Sequence, residues 1–298
     1  MKRRVVSSVL ILISLLSVSC KSQEITGLNG KELQKSQYKS FICDTELNET
    51  EIDLKVDYWR EPVKFKNLES KHFCFEGKNY ELVYQSSTTE PYSPFEEDEY
   101  HDGDKSYFSF KSGTEEMTGF LFNVWALDMS DYQYVPITSD EAQIKAEEIA
   151  SQYIEPEDYV VTKEKMSYTD ISGMNCDEYV SYKFKFIRHI CGVPTMDRAR
   201  VTIGNDGRLI SFSFSTAGLF SGKENIDFDE KEVELSIAEK MKELFDSKYK
   251  YEYTQEKKLL TYTSKGELLL VSEVRAVLIP EKTDSPVNVV LMMGTVVG

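Results

Sequence analysis

The sequence is poor in the residues that most often perform catalysis or bind metals. Of its 298 residues, three are histidine and five are cysteine, and no Cys-x-x-Cys pair occurs. It also lacks a His-Glu-x-x-His zinc motif, a Gly-x-Ser-x-Gly nucleophile elbow and the glycine-rich phosphate-binding loops. These absences argue against the common metallohydrolases, serine hydrolases and nucleotide-binding enzymes. Glycosidase chemistry needs only two carboxylates, so 51 Asp and Glu residues leave a hydrolase open.

Long apolar runs are also scarce, and the one that stands out follows a basic start. Val5–Val18 comes after Lys2, Arg3 and Arg4. It is shorter than the ~20 apolar residues that span a bilayer, and it is typical of a secretory signal. The run ends in Leu16-Ser17-Val18-Ser19-Cys20, which resembles a bacterial lipobox except at Ser17, where that motif prefers Leu, Val or Ile.

We therefore predict a signal peptide at 1–19 and a lipid-anchored Cys20 followed by a polar tether, together 20–37. The protein would be exported and held at the cell membrane or envelope, facing outside the cytoplasm. Several acyl chains on one cysteine would anchor it stably, whereas a single chain is marginal. Ordinary signal cleavage followed by release is the alternative.

The chain has few positive charges for its size. Its formal net charge is −16, with 35 Lys and Arg against 51 Asp and Glu. An acidic surface argues against nucleic acid as a partner and against electrostatic docking on anionic lipid.

Four cysteines remain after Cys20, and exported proteins can keep disulfides. Cys176 and Cys191 bracket a strand-like run that would hold them roughly 40 Å apart, so these two should not pair. Pairing of Cys43 with Cys74 stays open. The four are too scattered for a zinc knuckle.

The hydrophobic pattern predicts strands first and helices later. A β-rich region at 38–136 contains four strand-like segments: Glu51–Trp59, Asn79–Tyr84, Ser106–Phe110 and Met117–Trp125. Ile137–Ile154 has apolar residues at helical spacing, and Thr138 with Glu141 predicts a capping box. A second helix begins near Asp229, with Glu232 as the third residue after the cap. Its predicted apolar stripe consists of Ala238, Met241, Leu244 and Phe245.

The two helices overlay at one offset of 92 residues, and the match continues into the following strand. Asp158–Met166 then lies on Lys250–Lys258, which favours an internal duplication. Two further strands are predicted in each unit: Glu178–Ile190 and Ala199–Phe214 in the first, Glu267–Ile279 and Val287–Val297 in the second. The sequence therefore predicts an α+β fold of two helix-on-antiparallel-sheet (α-β-β-β) units, 137–220 and 226–298, preceded by the β-rich region.

One stretch of the first unit resembles a known family. The helix, the antiparallel strands, Gly192-Val193-Pro194 and a strand with Asn205-Asp206-Gly207-Arg208 are similar to the repeats of PepSY-like and YcdB-type bacterial envelope proteins. The second unit departs from this pattern, with Pro280-Glu281-Lys282 in place of Gly-Val-Pro. The resemblance implies an extracytoplasmic, non-catalytic module, with a role in peptidase regulation in some members. It transfers no catalytic residue.

Candidate site residues are few. Asp98, Asp102 and Asp104 match part of the ligand pattern of a calcium-binding loop. However, Tyr100 occupies a ligand position and Ser109 replaces the final Glu ligand, so a solvated loop explains this acidic segment better. His189 and Cys191 would point to one face of a strand, but nothing suggests a third group to orient the histidine. Trp59 and Trp125 would favour a sugar- or peptide-binding platform if they are exposed.

We therefore predict a non-catalytic lipoprotein that needs no cofactor. It would bind a protein or peptide partner through a sheet face or an edge strand. A hydrolase acting on cell-wall or envelope material and a purely structural lipoprotein are the alternatives.

The predicted lipidation is tested by replacing the acceptor cysteine. We expect Cys20→Ala to move the protein from the membrane fraction to the soluble fraction, because no acyl chain can then be attached. Fractionation followed by immunoblotting measures this, with Cys74→Ala as the matched control. Equal membrane association of both variants would contradict lipidation.

Overall fold

We describe the fold from a computed structural model. It describes residues 35–43, 63–89, 95–103, 106–126, 134–168, 179–223, 225–246, 248–263, 266–280 and 285–297. The predicted signal peptide, Cys20, most of the tether and the Glu51–Trp59 strand lie outside these residues. None of the helices in the described ranges is long and apolar enough to cross a membrane.

Thirteen strands and two α-helices make up the described chain. The helices are α1 (Ser139–Ala150) and α2 (Glu230–Phe245). The strands before α1 are β1 (Lys39–Ile42), β2 (Lys71–Phe75), β3 (Lys78–Thr88), β4 (Glu97–His101), β5 (Ser106–Lys111) and β6 (Met117–Phe122). Between the helices lie β7 (Tyr159–Ser167), β8 (Val180–Ile190), β9 (Val193–Gly204) and β10 (Leu209–Ser213). After α2 come β11 (Tyr249–Tyr262), β12 (Leu268–Pro280) and β13 (Val287–Val296).

All thirteen strands belong to one mixed sheet. The main path runs β1-β13-β12-β11-β9-β10-β6-β5-β4-β3-β2, and β8 and β7 branch from β9. Neighbouring strands are antiparallel except β9 and β11, which are parallel where Leu260 lies opposite Thr195. The β9 strand therefore joins the two halves of the sheet.

The predicted α+β fold of two separate units is wrong. Strands account for 53% of the structure and helices for 16%, and the strands of both predicted units lie in the single sheet. The order of a helix followed by antiparallel strands is present twice. However, β10 pairs with β6 and β13 pairs with β1, so strands from the N-terminal region continue the sheet on both sides. Edge strands have unpaired backbone groups that another strand can satisfy, and here distant segments do so.

Local signals place the first helix correctly. The backbone N–H of Thr138 donates to Glu141 Oε2 at 2.7 Å, and the Glu141 N–H donates back to Thr138 Oγ1 at 3.2 Å, which confirms the capping box. The Glu141 carboxylate accepts from both the Thr138 N–H and the Thr138 hydroxyl, and these two hydrogen bonds lower its pKa. Ala142, Ala146 and Ala150 are fully buried, because small side chains let α1 approach the sheet closely.

The second helix differs from its prediction in two details. Its buried stripe is centred on Val233, Ile237 and Met241, not on Ala238. Asp229 caps the helix by accepting from the Lys231 N–H, but Glu232 does not complete a capping box. The Glu232 carboxylate instead accepts hydrogen bonds from Ser36 and Gln37, so the end of the predicted tether lies against α2.

The loops of the β8–β10 region also refine the prediction. The chain turns at Cys191-Gly192, and Val193 and Pro194 already belong to β9. The predicted strand Ala199–Phe214 is interrupted at Asn205-Asp206-Gly207, where Gly207 has a φ of +81°. This turn makes β9 and β10 an antiparallel hairpin, as its sequence suggests.

Two cores form where helices cover the sheet. The first holds the α1 alanines together with aromatic side chains, among them Phe108, Phe120, Phe184 and Phe212. The second holds the α2 stripe with Leu270, Val274 and Met293.

A buried carboxylate connects the two cores. Asp197 is fully buried in β9 and accepts hydrogen bonds from Tyr159 Oη at 2.7 Å, the Gly218 N–H at 2.8 Å and the Phe220 N–H at 2.9 Å. Its Oδ2 also lies 3.3 Å from Arg188 Nε. Tyr159 belongs to the first core and Phe220 to the second.

Replacing Asp197 should therefore destabilise the whole fold. We expect Asp197→Ala to lower the free energy of unfolding by about 3 kcal/mol, because it leaves the Tyr159 hydroxyl and two buried backbone N–H groups without their acceptor and removes one of the two carboxylates that pair with Arg188. Urea denaturation followed by circular dichroism measures this. The matched control is Asp140→Ala, which removes the ion pair between Asp140 and Lys163. The Asp140 side chain is 90% exposed, so this variant should change the free energy of unfolding by about 0.5 kcal/mol or less. Equal losses in both variants would contradict the role of Asp197.

Candidate functional site

The first half of the sheet has two faces of different character. Side chains alternate between the faces of a strand, so the residues next to the α1-facing aromatics point the other way. We call the face of β3–β10 turned away from α1 the distal face. Its side chains form rows that cross the strands, because the register places one residue of each strand opposite a residue of the next.

One row begins with exposed apolar side chains. Val83, His101, Tyr107 and Leu121 lie opposite one another in turn across β3, β4, β5 and β6. Val83 is 45% exposed, Tyr107 41% and Leu121 51%. The row continues through Ser211, Thr202, Lys183 and Glu164 on the remaining strands. We call its first four residues the apolar row. Contiguous exposed apolar groups rimmed by polar residues are typical of interaction sites.

The neighbouring row is small and polar. It consists of Ser86, Glu99, Ser109, Gly119, Ser213, Arg200, Lys185 and Thr162, in sheet order. We call it the hydroxyl row. A Cβ atom on Gly119 would lie 3.2 Å from Ser109 Cβ and Oγ, so a larger residue there would press against the next strand. This row therefore places small side chains directly beside the apolar row.

Charge is distributed unevenly along the distal face. Glu97 and Glu99 lie on β4, and the two carboxylates accept hydrogen bonds from Thr118 Oγ1 and Ser86 Oγ respectively. At the other side, β9 and β8 present four basic residues: Arg198, Arg200, Lys183 and Lys185. Lys185 Nζ is 3.4 Å from the Glu164 carboxylate, and all four basic residues have further interactions within the protein. The face can therefore contribute apolar contact, hydroxyl hydrogen bonds and charges of both signs.

An aromatic cluster lies beside this face. Trp125 follows β6 and is 55% exposed, and its ring meets Tyr168 edge-on at a centroid distance of 5.9 Å. Tyr168 Oη in turn hydrogen-bonds Ser181 Oγ at 2.9 Å, and its ring is 5.9 Å from that of Tyr179. Burial, followed by the nearby Asp206 charge, raises the pKa of Tyr179 well above its usual range. Trp125 is thus an exposed aromatic side chain in contact with Tyr168, whereas Trp59 lies outside the described residues.

The structure does not bring the predicted calcium ligands together. Asp98 is buried, and its Oδ1 accepts from Ser87 Oγ at 2.6 Å and from Lys66 Nζ at 2.9 Å, so an ammonium group already fills the cation position. Asp102 Oδ1 accepts the Ser106 N–H at 2.7 Å within its own turn. Asp104 lies outside the described residues. No group of three or more His, Cys, Asp or Glu side chains within the described ranges could hold a metal ion.

The histidines and exposed cysteines do not form a nucleophilic site in the described part of the chain. His189 is exposed on β8, and partial burial lowers its pKa. Cys191 lies in the following turn with a φ of +50°, and its Sγ approaches the Ile226 carbonyl at 3.3 Å. The thiol therefore points to a backbone acceptor and not to a general base.

Sequence reasoning missed both rows of the distal face. The alternation of Tyr107, Ser109 and Lys111 with Phe108 and Phe110 was a usable signal for a two-faced strand. The order of residues across strands was not accessible, because it depends on which strands pair and in which register. Comparison with known protein families, curated proteins and solved structures finds no match for this chain.

The sequence left open a disulfide between Cys43 and Cys74, and the structure contradicts it. Cys43 follows β1 and Cys74 lies in β2, and these strands form opposite ends of the sheet path. A disulfide needs Cα atoms within about 7 Å. Both thiols are free, Cys43 is buried and Cys74 is exposed. Cys43 packs against Gly294, where a Cβ atom would lie 2.6 Å from its Sγ.

Burial should protect Cys43 from alkylation. Desolvation raises the pKa of its thiol to about 11. At pH 8, about 0.1 % of it is then the reactive thiolate. We expect iodoacetamide to modify Cys74 and Cys191 in the native protein and Cys43 only after unfolding in urea, as measured by peptide mass spectrometry. Native alkylation of Cys43 at the rate of Cys74 would refute this assignment.

Proposed function

We propose that this chain is a non-catalytic, lipid-anchored protein of the cell envelope that binds a protein or peptide partner through the distal face. The observation that supports this most is the apolar row, in which Val83, Tyr107 and Leu121 remain 41–51% exposed, with Tyr107 directly opposite Leu121 and His101 between Val83 and Tyr107. Aromatic and apolar groups of this kind are enriched in interface cores.

The size of the apolar row indicates what else a partner must contact. Complete burial of one apolar side chain contributes about 1.5–3 kcal/mol, so covering three half-exposed ones contributes roughly 3 kcal/mol. Association itself costs about 4 kcal/mol or more in lost freedom. The apolar row alone is therefore insufficient, and the partner also needs the hydroxyl row or the Trp125 cluster.

The envelope location is supported by the sequence. The signal-like run and the lipobox-like Cys20 support membrane attachment, and the net charge of −16 disfavours nucleic acid as the partner. The resemblance to PepSY-like and YcdB-type proteins supports a partner that is a peptidase or its substrate.

Site-specific photocrosslinking tests the proposed face. We expect p-benzoylphenylalanine at Leu121 to give a discrete adduct in the native host, because a bound partner would cover this position. Ile144 is the matched control, since it is similarly exposed at 58% but lies on α1, on the opposite side of the sheet. Immunoblotting after irradiation measures adduct formation at both positions.

A second substitution makes the result specific. Adding Tyr107→Glu should strongly reduce the Leu121 adduct, because a charge would then occupy the apolar row. Circular dichroism checks that the variant is folded. The proposal fails if Leu121 gives no adduct, if Ile144 gives the same adduct, or if the folded Tyr107→Glu variant crosslinks as before.

A further inference from the structure

The charges of the distal face are separated along the direction that crosses the strands. The acidic side lies at β4, where Glu97 and Glu99 outnumber Lys111 of β5, and the basic side lies at β9 and β8, where four basic residues outnumber Glu164 of β7. Between them, the hydroxyl row contains only Ser109, Gly119 and Ser213, which are uncharged and small. The distal face therefore carries a dipole whose middle is neutral along the hydroxyl row.

We infer that the distal face binds an extended peptide that carries a positive charge near one end and a negative charge near the other. This inference rests on the proposed function and adds the chemistry of the partner. The cation would lie at Glu99 and the anion at Arg200, since Lys185 is buried and pairs with Glu164. Charge complementarity of this kind fixes register and partner choice more than it adds raw affinity.

The spacing of the two charged sides suits a short segment. Four strand intervals separate β4 from β9 in the order β4-β5-β6-β10-β9, which is roughly 19 Å at about 4.8 Å per interval. An extended peptide advances about 3.3 Å per residue, so about six residues separate its charged ends. Over that length, one side of the peptide faces Tyr107 and Leu121, and its polar groups reach the hydroxyls of Ser109 and Ser213.

The peptide would be recognised by the charges of each side together, because each charged residue already has contacts within the protein. Glu99 accepts from Ser86 Oγ at 2.7 Å, Lys185 pairs with Glu164, and Arg200 has interactions of its own. The peptide charge would therefore respond to the summed field of each cluster and not to one free group. Glu164 reduces the positive field near Lys185, so the field of the basic side depends mainly on Arg198, Arg200 and Lys183.

Other polymers fit this face less well. A polyanion such as nucleic acid would meet Glu97 and Glu99 as well as the overall negative charge. A neutral glycan would use the hydroxyls and Trp125 but would gain nothing from the separated charges. The dipole thus favours a peptide, and charge dependence distinguishes it from a glycan.

Synthetic peptides of matched composition test the inference. The probe is fluorescein-labelled Lys-Lys-Thr-Val-Thr-Val-Thr-Glu-Glu, and its controls have the same centre with four Lys or four Glu at the ends. We expect the dipolar peptide to bind about tenfold tighter than either control in 150 mM salt, a difference of about 1.4 kcal/mol. Fluorescence anisotropy measures the three dissociation constants.

Charge reversal in the protein provides the decisive comparison. Glu99→Lys and Arg200→Glu should each weaken the dipolar peptide about tenfold, since each turns an attraction into a repulsion. The double variant should bind the dipolar peptide at least as weakly as the weaker single variant, because both sides then lose field, while Glu97 and the remaining basic residues prevent an inversion of the dipole. Thermal denaturation confirms that all three variants are folded.

The outcomes separate this inference from the proposed function. Equal binding of all three peptides, or an unchanged affinity of the folded double variant for the dipolar peptide, would overturn the dipolar selection, and a glycan or an uncharged segment would then be the better ligand. The Leu121 adduct could still form in that case, so the face would remain a binding surface. Loss of that adduct, in contrast, would refute the proposed function itself.

Discussion

The buried carboxylate of Asp197 is the interaction on which the remaining architecture depends. A carboxylate removed from water is stable only when its oxygens are supplied with donors or opposite charge. Here the donors come from β7, through Tyr159, and from the segment after β10, through the backbone of Gly218 and Phe220, while Arg188 of β8 supplies the charge. Desolvation together with the hydrogen bond to Asp197 raises the pKa of Tyr159 to about 12, so this hydroxyl remains a donor at neutral pH. One side chain thus holds together elements that belong to both cores.

The register of β9, the strand that contains Asp197, also determines which residues lie on the distal face. Thr195, two residues earlier, lies opposite Leu260 and joins the second half of the sheet. Arg200, three residues later, lies opposite both Lys185 and Ser213, because β9 is paired on both sides at that point. The strand that connects the two halves therefore also connects the basic side of the distal face to its hydroxyl middle. A shift of β9 by one residue would move the arginines to the core side and the core residues to the distal face.

Local sequence signals were sufficient for some elements and insufficient for others. Thr138 with Glu141, and Asn205-Asp206-Gly207, act through neighbours in sequence, and the structure forms the predicted helix start and turn. The fold class failed because it depends on pairings between distant strands, such as β6 with β10 and β1 with β13. Alternation of apolar and polar residues indicates that a strand has a buried face, but it does not indicate which other strand pairs with that strand.

The two rows of the distal face could not be predicted from the sequence for a related reason. Register shifts between Tyr84 and Ser86, and between Leu209 and Ser211, place an extra residue in one strand of each pair. Each such bulge changes which side chains share a face after it. Counting by two from Val83 would have assigned Ser87 to the distal face, whereas Ser86 lies there, opposite Glu99, and Ser87 donates to the buried Asp98.

Under the proposed lipidation, the tether would set how far the described chain can lie from the membrane. Fourteen residues separate Cys20 from Lys35, the first described residue, and this length of chain reaches at most about 50 Å. Lys35 is followed by Ser36, which hydrogen-bonds Glu232 of α2, and by β1, which pairs with β13. The acidic side of the distal face lies on β4, near the opposite end of the strand order. The anchor would therefore limit the distance of the β1 end from the membrane without fixing the direction of the distal face, so a partner at various depths in the envelope could reach it.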